Sequence, residues 1–322
     1  MAVFCMKIGM YSITYRGVWY KGKAMDIFSL MRFIKKEGWE GVELDTERPH
    51  AAPMDLSRDD RARLRDLAGE LGLPISAISP SCDLSGPVPV KRESEICYVI
   101  ESIKLARDVG APVCKIFCAW RGITLHRGLA SYNLTYSADP YPFWKEDRRG
   151  FVLDSLKELA KIARDYGVVL ALQNHGPDII KSYRDVLSLI KETRSPALKA
   201  CIDLCNEEKP GIESPDYAKR AVRDTGKLQA HSHFNGEFQR NPNGEVEIAY
   251  DQFFRDRKPA YGAYVEALVQ SGYEGFMNWE FCHPALEKGK PAGIEYVHRH
   301  TRLALEYMKG LRAGAQAKTP RK

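Results

Sequence analysis

The chain has no long apolar run. No stretch approaches the ~20 consecutive apolar residues that cross a bilayer, so no membrane role is expected. Its eight cysteines show no paired spacing. Cys114, Cys118, Cys201 and Cys205 sit in or beside apolar runs, which suits buried thiols in a reducing cytosol better than a disulfide framework. No glycine-rich G-x-G-x-x-G follows the first strand-like run, which argues against a dinucleotide-binding sheet. No loop reads as a phosphate cradle. Charge of one sign is also scarce. The formal net charge is +6, but Arg312, Lys318, Arg321 and Lys322 crowd the C-terminus. The rest is near neutral, so no nucleic-acid partner is expected. The opening MAVFCMKIGMYS carries one lysine and runs straight into a strand-like segment. No secretory leader is read there, and the expected location is the cytoplasm.

What is present is a repeated alternation. The 322 residues are 44% hydrophobic and 28% charged, an ordinary globular composition. Short apolar runs at 7–12, 41–45, 74–79, 113–120, 168–174, 198–203, 228–233 and 276–281 read as strands. Amphipathic stretches at 25–37, 57–71, 93–109, 150–166, 179–192, 215–224, 260–271 and 292–309 read as helices. Glu37-Gly38, Leu71-Gly72, Val109-Gly110, Tyr166-Gly167 and Ser271-Gly272 close helices with a residue that tolerates a left-handed backbone. Strand followed by helix, repeated eight times, implies a parallel sheet, and eight strands close into a filled barrel. The fold expected is an α/β (β/α)8 TIM barrel. It forms a single domain over 1–311, with a basic, flexible tail over 312–322. Two connections are long, at about 121–149 and 234–259, and both follow strand ends where barrel sites are built. The first carries Tyr132, Tyr136, Tyr141, Phe143 and Trp144. That many rings predict an ordered cover over a pocket.

Strand alternation then selects a site. In VVLALQNHG, Leu170 and Leu172 share one face, and Ala171, Gln173 and His175 share the other. The bulkier apolar face packs on helices, so Gln173 and His175 point into the mouth. By the same parity Asp203 follows Cys201, His233 follows His231, and Glu280 follows Asn278. Consecutive strands thus end in inward Gln173, Asp203, His233 and Glu280, a mixed oxygen and nitrogen set suited to a divalent cation.

The segments LALQNHG, CIDLCN, HSHFNGE and NWEF resemble the sugar isomerase/epimerase superfamily with the xylose-isomerase-like barrel, over about residues 7–310. That superfamily includes ketose 3-epimerases, inosose dehydratase and endonuclease IV-type enzymes. Its epimerase-like members bind Mn²⁺ or a similar ion through a strand-five Glu, a strand-six Asp, the second His of an H-x-H and a strand-eight Glu. The resemblance implies that Gln173, Asp203, His233 and Glu280 hold the ion here, most readily Mn²⁺, with Mg²⁺, Co²⁺ or Zn²⁺ as alternatives. It also implies a sugar or keto-sugar substrate, polarised by the metal while a base removes a neighbouring proton. The endonuclease IV-like reading would need further zinc ligands and a basic surface, and neither is evident.

Gln173 departs from that pattern. Its amide oxygen can bind a metal, but it cannot accept a proton from carbon. With one carboxylate fewer the ion should be a stronger Lewis acid and more weakly held. His175, two residues on and on the same face, is the candidate replacement base, paired with Glu280 as the second catalytic group. Such an unsymmetrical pair supports isomerisation, epimerisation or β-elimination. Elimination is the chemistry of the lyase branch: inosose dehydratase and the large subunits of C-glycoside-cleaving enzymes, which work with a small partner subunit. A homo-oligomer is the other assembly expected. A non-catalytic sugar-binding barrel is the third reading, and Gln173 is its best argument. Glu43, Arg121, Trp144, Asn206, Arg240 and His283 are the candidate substrate contacts.

Overall fold

The computed structural model describes residues 6–133, 141–176, 178–208, 210–249 and 257–318. Eight parallel strands close a barrel. They are β1 (Lys7–Tyr11), β2 (Val42–Asp45), β3 (Ile75–Ser79), β4 (Val113–Ile116), β5 (Val169–Gln173), β6 (Leu198–Asp203), β7 (Gln229–Asn235) and β8 (Phe276–Glu280). Each pairs with the next, and β8 returns to β1 with Lys7 opposite Phe276 and Met10 opposite Trp279. The helices are α1 (Ile27–Glu37), α2 (Arg58–Leu71), α3 (Pro89–Val109), α4 (Asp147–Asp165), α5 (Tyr183–Thr193), α6 (Pro215–Thr225), α7 (Tyr261–Gln270) and α8 (Ile294–Lys318). None is long and apolar enough to cross a membrane. The described cysteines are all free, and only Cys97 is exposed.

Short strands rich in Ile, Val, Leu and Ala are buried on both faces, as a parallel sheet covered by helices requires. The outward residues, among them Ile78, Ile116, Leu170, Leu172, Ile202 and Trp279, join the large core beneath the helices. The inward residues Ala77, Val113, Ala171 and Cys201 form a separate small cluster that plugs the barrel. The parity read from VVLALQNHG therefore holds. Register shifts at Val42/Glu43 and at Ala200/Cys201 lie on two strands that carry site residues, where such irregularities re-aim side chains. Gly9 is required for space. A Cβ there would fall 2.0 Å from Asn278 Oδ1, in the barrel interior.

Some boundaries differ from expectation. The strand expected over 113–120 ends at Ile116. Beyond it the chain turns toward the β3–α3 loop, with Leu84 N–H donating to Cys118 O and Trp120 N–H to Cys82 O. The expected tail from 312 is helical as far as Lys318. Arg312 makes two bonds of 2.7 Å to Glu40 and a third of 2.9 Å to Met6 O, so it belongs to the barrel. Arg321 and Lys322 lie outside the described residues.

The mouth carries small antiparallel hairpins: Thr124–His126 with Leu129–Ser131, Phe238–Arg240 with Val246–Ile248, and Leu286–Glu287 with Lys290–Pro291. The first belongs to the aromatic loop. Its Tyr132 stacks on Trp19 at 5.7 Å and donates to the carbonyl of Cys282, so three loops meet there. Tyr136 lies outside the described residues.

His50 is buried in the loop between β2 and α2, with its Nε2 against Met25 O at 3.1 Å. Burial lowers its pKa to about 4. The unfolded chain, with an ordinary imidazole, then binds more protons between pH 4 and about 6.5, so this residue removes stability as pH falls through that window. His50→Gln should narrow the difference in unfolding free energy between pH 7 and pH 5 by about 2 kcal/mol. Urea melts of both proteins at the two pH values measure this.

Candidate active site at the mouth of the barrel

Gln173, Asn174 and His175 have three different environments. Gln173 points inward and is 1% exposed, yet neither its amide oxygen nor its amide nitrogen has a hydrogen-bond partner. Buried polar atoms are seldom left so, and an exception marks a place where something else binds. Asn174 faces the other way and ties two strand ends together. Its Oδ1 accepts from Asp203 N at 2.7 Å, while its Nδ2 donates to Asp203 O at 2.9 Å and to Glu207 Oε1 at 2.6 Å. His175 turns back into the mouth, edge-on to Trp120 at 4.3 Å and to Phe117 at 5.1 Å between ring centroids.

Asp203, His233 and Glu280 meet in front of these residues. One ligand atom from each lies within 4.8 Å of the others, a spacing that a single metal ion could bridge. His233 Nδ1 is 3.6 Å from Glu280 Oε2, an ion-pair contact too long for a hydrogen bond, and it has no other partner. Asn235 Nδ2 reaches both acids, at 3.4 Å from Asp203 Oδ2 and 3.4 Å from Glu280 Oε1. Cys205 N–H and Asn206 Nδ2 donate to Asp203 at 3.0 Å each. Burial and the charge of Glu280 push Asp203 up to about 6. His233 is pushed up to about 9, because Glu43 and Glu280 on either side outweigh its burial. Two crowded acids, with His233 Nδ1 turned toward them and Gln173 Oε1 spare on the next strand but one from His233, form a donor set suited to a cation.

Glu43 organises the layer beneath. It accepts from His231 Nε2 at 2.8 Å, His233 Nε2 at 2.7 Å, Asn278 Nδ2 at 2.8 Å and the hydroxyl of Ser79. Burial alone would raise its pKa, but the two imidazoles hold it well below the ordinary range. Glu43, His231 and His233 also satisfy metal spacing. The Nε2 atoms of both histidines are already bonded to Glu43, and the Lys115 ammonium stands 3.8 Å from it, so this group serves as an orienting layer. By taking the Nε2 side of His233, it turns Nδ1 toward Asp203 and Glu280.

The structure treats the expected substrate contacts unequally. Glu43 is a buried hydrogen-bond hub rather than a free group in the mouth. Asn206 props Asp203. Arg121 pairs with Asp178 at 3.3 Å, beside Arg148, at the rim. Three others fall away from the cluster. Trp144 is 49% exposed in a short 3-10 turn. Arg240 forms a surface pair with Glu306 of α8. His283 is held by Glu237 at 3.1 Å and lies on the Phe281 ring. Loop positions carry no periodicity, so alternation could not aim these three. The cleft above the acids is lined by Trp19, Phe117, Trp120, Tyr132, His175 and Glu280. Trp19 and Trp120 were not anticipated. Asn235 was also missed, although it lies two residues past His233 on the same face, as was Lys115, a lone cation in an apolar strand. A wider hollow beside Glu237, Tyr296 and His300 holds none of the strand-end residues.

The chain belongs to the xylose isomerase-like TIM barrel family, whose pattern it matches over residues 31–303. Fructoselysine 3-epimerase of Escherichia coli O157:H7 is similar, at 25% identity over 209 residues, covering 62% of this chain and 66% of the relative. The corresponding enzyme of Shigella flexneri matches to the same extent. The chain thus spans just under two thirds of these relatives. Among solved structures, D-psicose 3-epimerase of Clostridium cellulolyticum H10 superposes with a TM-score of 0.70 at 18% identity, covering 95% of this chain and 99% of that one. E. coli 3-keto-D-glucoside 4-epimerase gives 0.67 at 19%, with 95% and 99% covered. These last two likenesses establish the shared fold.

Asn174→Ala removes the tie between β5 and β6 and leaves Asp203 N–H and Glu207 short of partners. It should cost about 3 kcal/mol of unfolding free energy in urea melts. A loss below about 0.5 kcal/mol would show that the tie contributes nothing.

Proposed function

We propose that the protein is a divalent-metal-dependent isomerase or epimerase of a keto-sugar, acting by proton abstraction beside a polarised carbonyl. The observation that carries this reading is the convergence of Asp203, His233 and Glu280 within 4.8 Å, beside a buried Gln173 with no partner of its own. These donors fit an ion of the Mn²⁺ kind, with Gln173 Oε1, an Asp203 oxygen, His233 Nδ1 and a Glu280 oxygen as its holders. When bound, the ion supplies Lewis acidity to a substrate oxygen. The activities named for the relatives, 3- and 4-epimerisation of keto-sugars, support the same class.

The chain's own groups divide the proton work. His175 Nδ1 lies 2.9 Å from Gly176 O, so it is the donor and Nε2 keeps its lone pair. Burial brings its pKa down to about 4, so the ring is neutral and able to accept a proton at pH 7. Trp120 and Phe117 hold the ring plane facing the cleft. In this scheme His175 takes the proton from the carbon beside the carbonyl, and the Glu280 carboxylate serves the opposite face. Gln173 cannot do so, which makes the pair unsymmetrical. The rings of Trp19, Trp120 and Tyr132 exclude water and stack on a sugar face. They also favour a second reading, β-elimination from an oxidised glycoside with an apolar leaving group. Proton exchange into D₂O without loss of a leaving group distinguishes the first reading from the second.

Calorimetry with Mn²⁺ should show one site in the wild type. Asp203→Asn or His233→Gln should weaken it at least about tenfold, and Gln173→Glu should tighten it by a similar factor through the added charge. Unchanged affinity in all three variants would remove the metal from this mouth. In a panel of D-fructose, D-psicose, D-tagatose and L-ribulose, the reactive sugar should exchange a carbon-bound proton into D₂O. His175→Asn should slow that exchange by about 10² or more while manganese still binds. Full exchange in the variant would exclude His175 from the chemistry.

A further inference from the structure

Lys115 is the third residue of β4, on the inward face with Val113, and its side chain is fully buried. Its ammonium has no hydrogen-bond partner. Glu43 Oε1, at 3.8 Å, balances its charge but is too distant to accept a hydrogen bond. An ammonium has three donors, and leaving all of them unmet in a dry interior is costly. If its role were only to neutralise Glu43, the pair would be expected to close to about 2.8 Å. The ammonium instead stands off from the carboxylate, 4.0 Å above the ring of Phe117 and 4.8 Å above that of Tyr11. Both rings line the cleft, together with His175 and Glu280. Lys115 lies opposite Ala171 in the sheet, so Gln173, with its own unpartnered amide, is the next inward residue on the adjoining strand. His233 Nδ1, Asn235 Oδ1 and Asn278 Oδ1 are further unpartnered polar atoms of this interior. Unmet donors and acceptors on neighbouring strands describe a binding site for a polar atom that the protein does not itself supply.

We propose that Lys115 is a further catalytic residue, whose ammonium donates a hydrogen bond to the substrate oxygen that gains negative charge as the proton leaves carbon. This rests on the enolisation reading above. In that step the carbon–hydrogen bond breaks and the proton passes to His175 Nε2. The bonding pair becomes the new carbon–carbon double bond, and the carbonyl π pair moves onto oxygen. Lys115 keeps its own protons throughout and supplies the N–H that meets the new charge, while the reverse movement returns the proton. A fixed cation suits this task because it is in place before charge develops. Because Gln173 is neutral, Lys115 faces one anionic neighbour fewer than it would beside a carboxylate, which leaves it freer to serve the substrate.

The test uses the full chain loaded with Mn²⁺ and N-hydroxyglycolamide, whose ionised hydroxamate resembles a planar enolate. Glycolamide is the neutral control. By calorimetry, Lys115→Met should weaken the hydroxamate about 10- to 100-fold, with manganese and glycolamide each changed by less than about threefold. If manganese, glycolamide and hydroxamate all weaken together, Lys115 is a structural counter-ion and the proposal is overturned. Undiminished hydroxamate binding overturns it as well. Should Lys115→Met not fold, wild-type protein carrying ¹⁵N-lysine and loaded with Mg²⁺ gives the same decision. The Nζ resonance of Lys115 should move on adding hydroxamate, and a stationary resonance overturns the proposal. Wild type that binds manganese but no hydroxamate refutes the enolisation reading itself, and the role of Lys115 with it. A normal wild type with an unaffected variant refutes Lys115 alone.

Discussion

Glu43 is wholly buried in the barrel, and its carboxylate is bonded to Ser79, His231, His233 and Asn278 from β3, β7 and β8. Taking a carboxylate out of water is unfavourable by several kcal/mol, and only a complete set of donors offsets that. Here the donors also become the architecture. His233 can present Nδ1 to Asp203 and Glu280 because its other nitrogen is held from below. Asn278 can reach Glu43 because Gly9 on the adjoining strand has no side chain to obstruct it. One buried anion thereby fixes an imidazole, an amide and a glycine on three strands that are distant in sequence.

The layer above follows a different rule. Below, the Glu43 carboxylate is fully engaged by its donors; above and beside it Gln173, Lys115 and His233 Nδ1 are without partners. Protein interiors tolerate such gaps poorly, and they concentrate where function sets the terms instead of stability. The contrast between that engaged carboxylate and the unpartnered groups around it locates the site as clearly as its shape does. It also explains why the wider hollow near Tyr296 is less informative: Glu237 there is already engaged by Tyr296 and His283.

Much of this was legible in the sequence wherever a residue lay on a strand. Period-two alternation put Gln173, Asp203, His233 and Glu280 on the inner face, and the Leu170/Leu172 pair under the helices, because the pleat leaves a strand residue only two directions. Legibility ended at the strand ends. Arg240, Trp144 and His283 sit on segments whose direction is set by tertiary contacts. Glu306, solvent and Glu237 claimed them respectively. Lys115 was overlooked for another reason. Within VCKIF it reads as an interruption of an apolar run, and only the structure shows that its ammonium stands over the rings of Tyr11 and Phe117, which line the cleft. The end of α8 was misread because LRAGAQAK looks frayed by composition, and nothing local announces that Arg312 grips Glu40.

That grip has a consequence for how the molecule is made. It joins the last helix to the start of the ring, close to where β8 docks on β1. During synthesis the ring stays open until Phe276–Glu280 has left the ribosome, because β1 and β7 wait for the same missing stave. Exposed sheet margins of that sort invite pairing with other chains. The stave that seals them also delivers Glu280, so closure of the ring and completion of the acid cluster are one event. An unfinished copy would thus carry open sheet edges and lack the acid cluster at once.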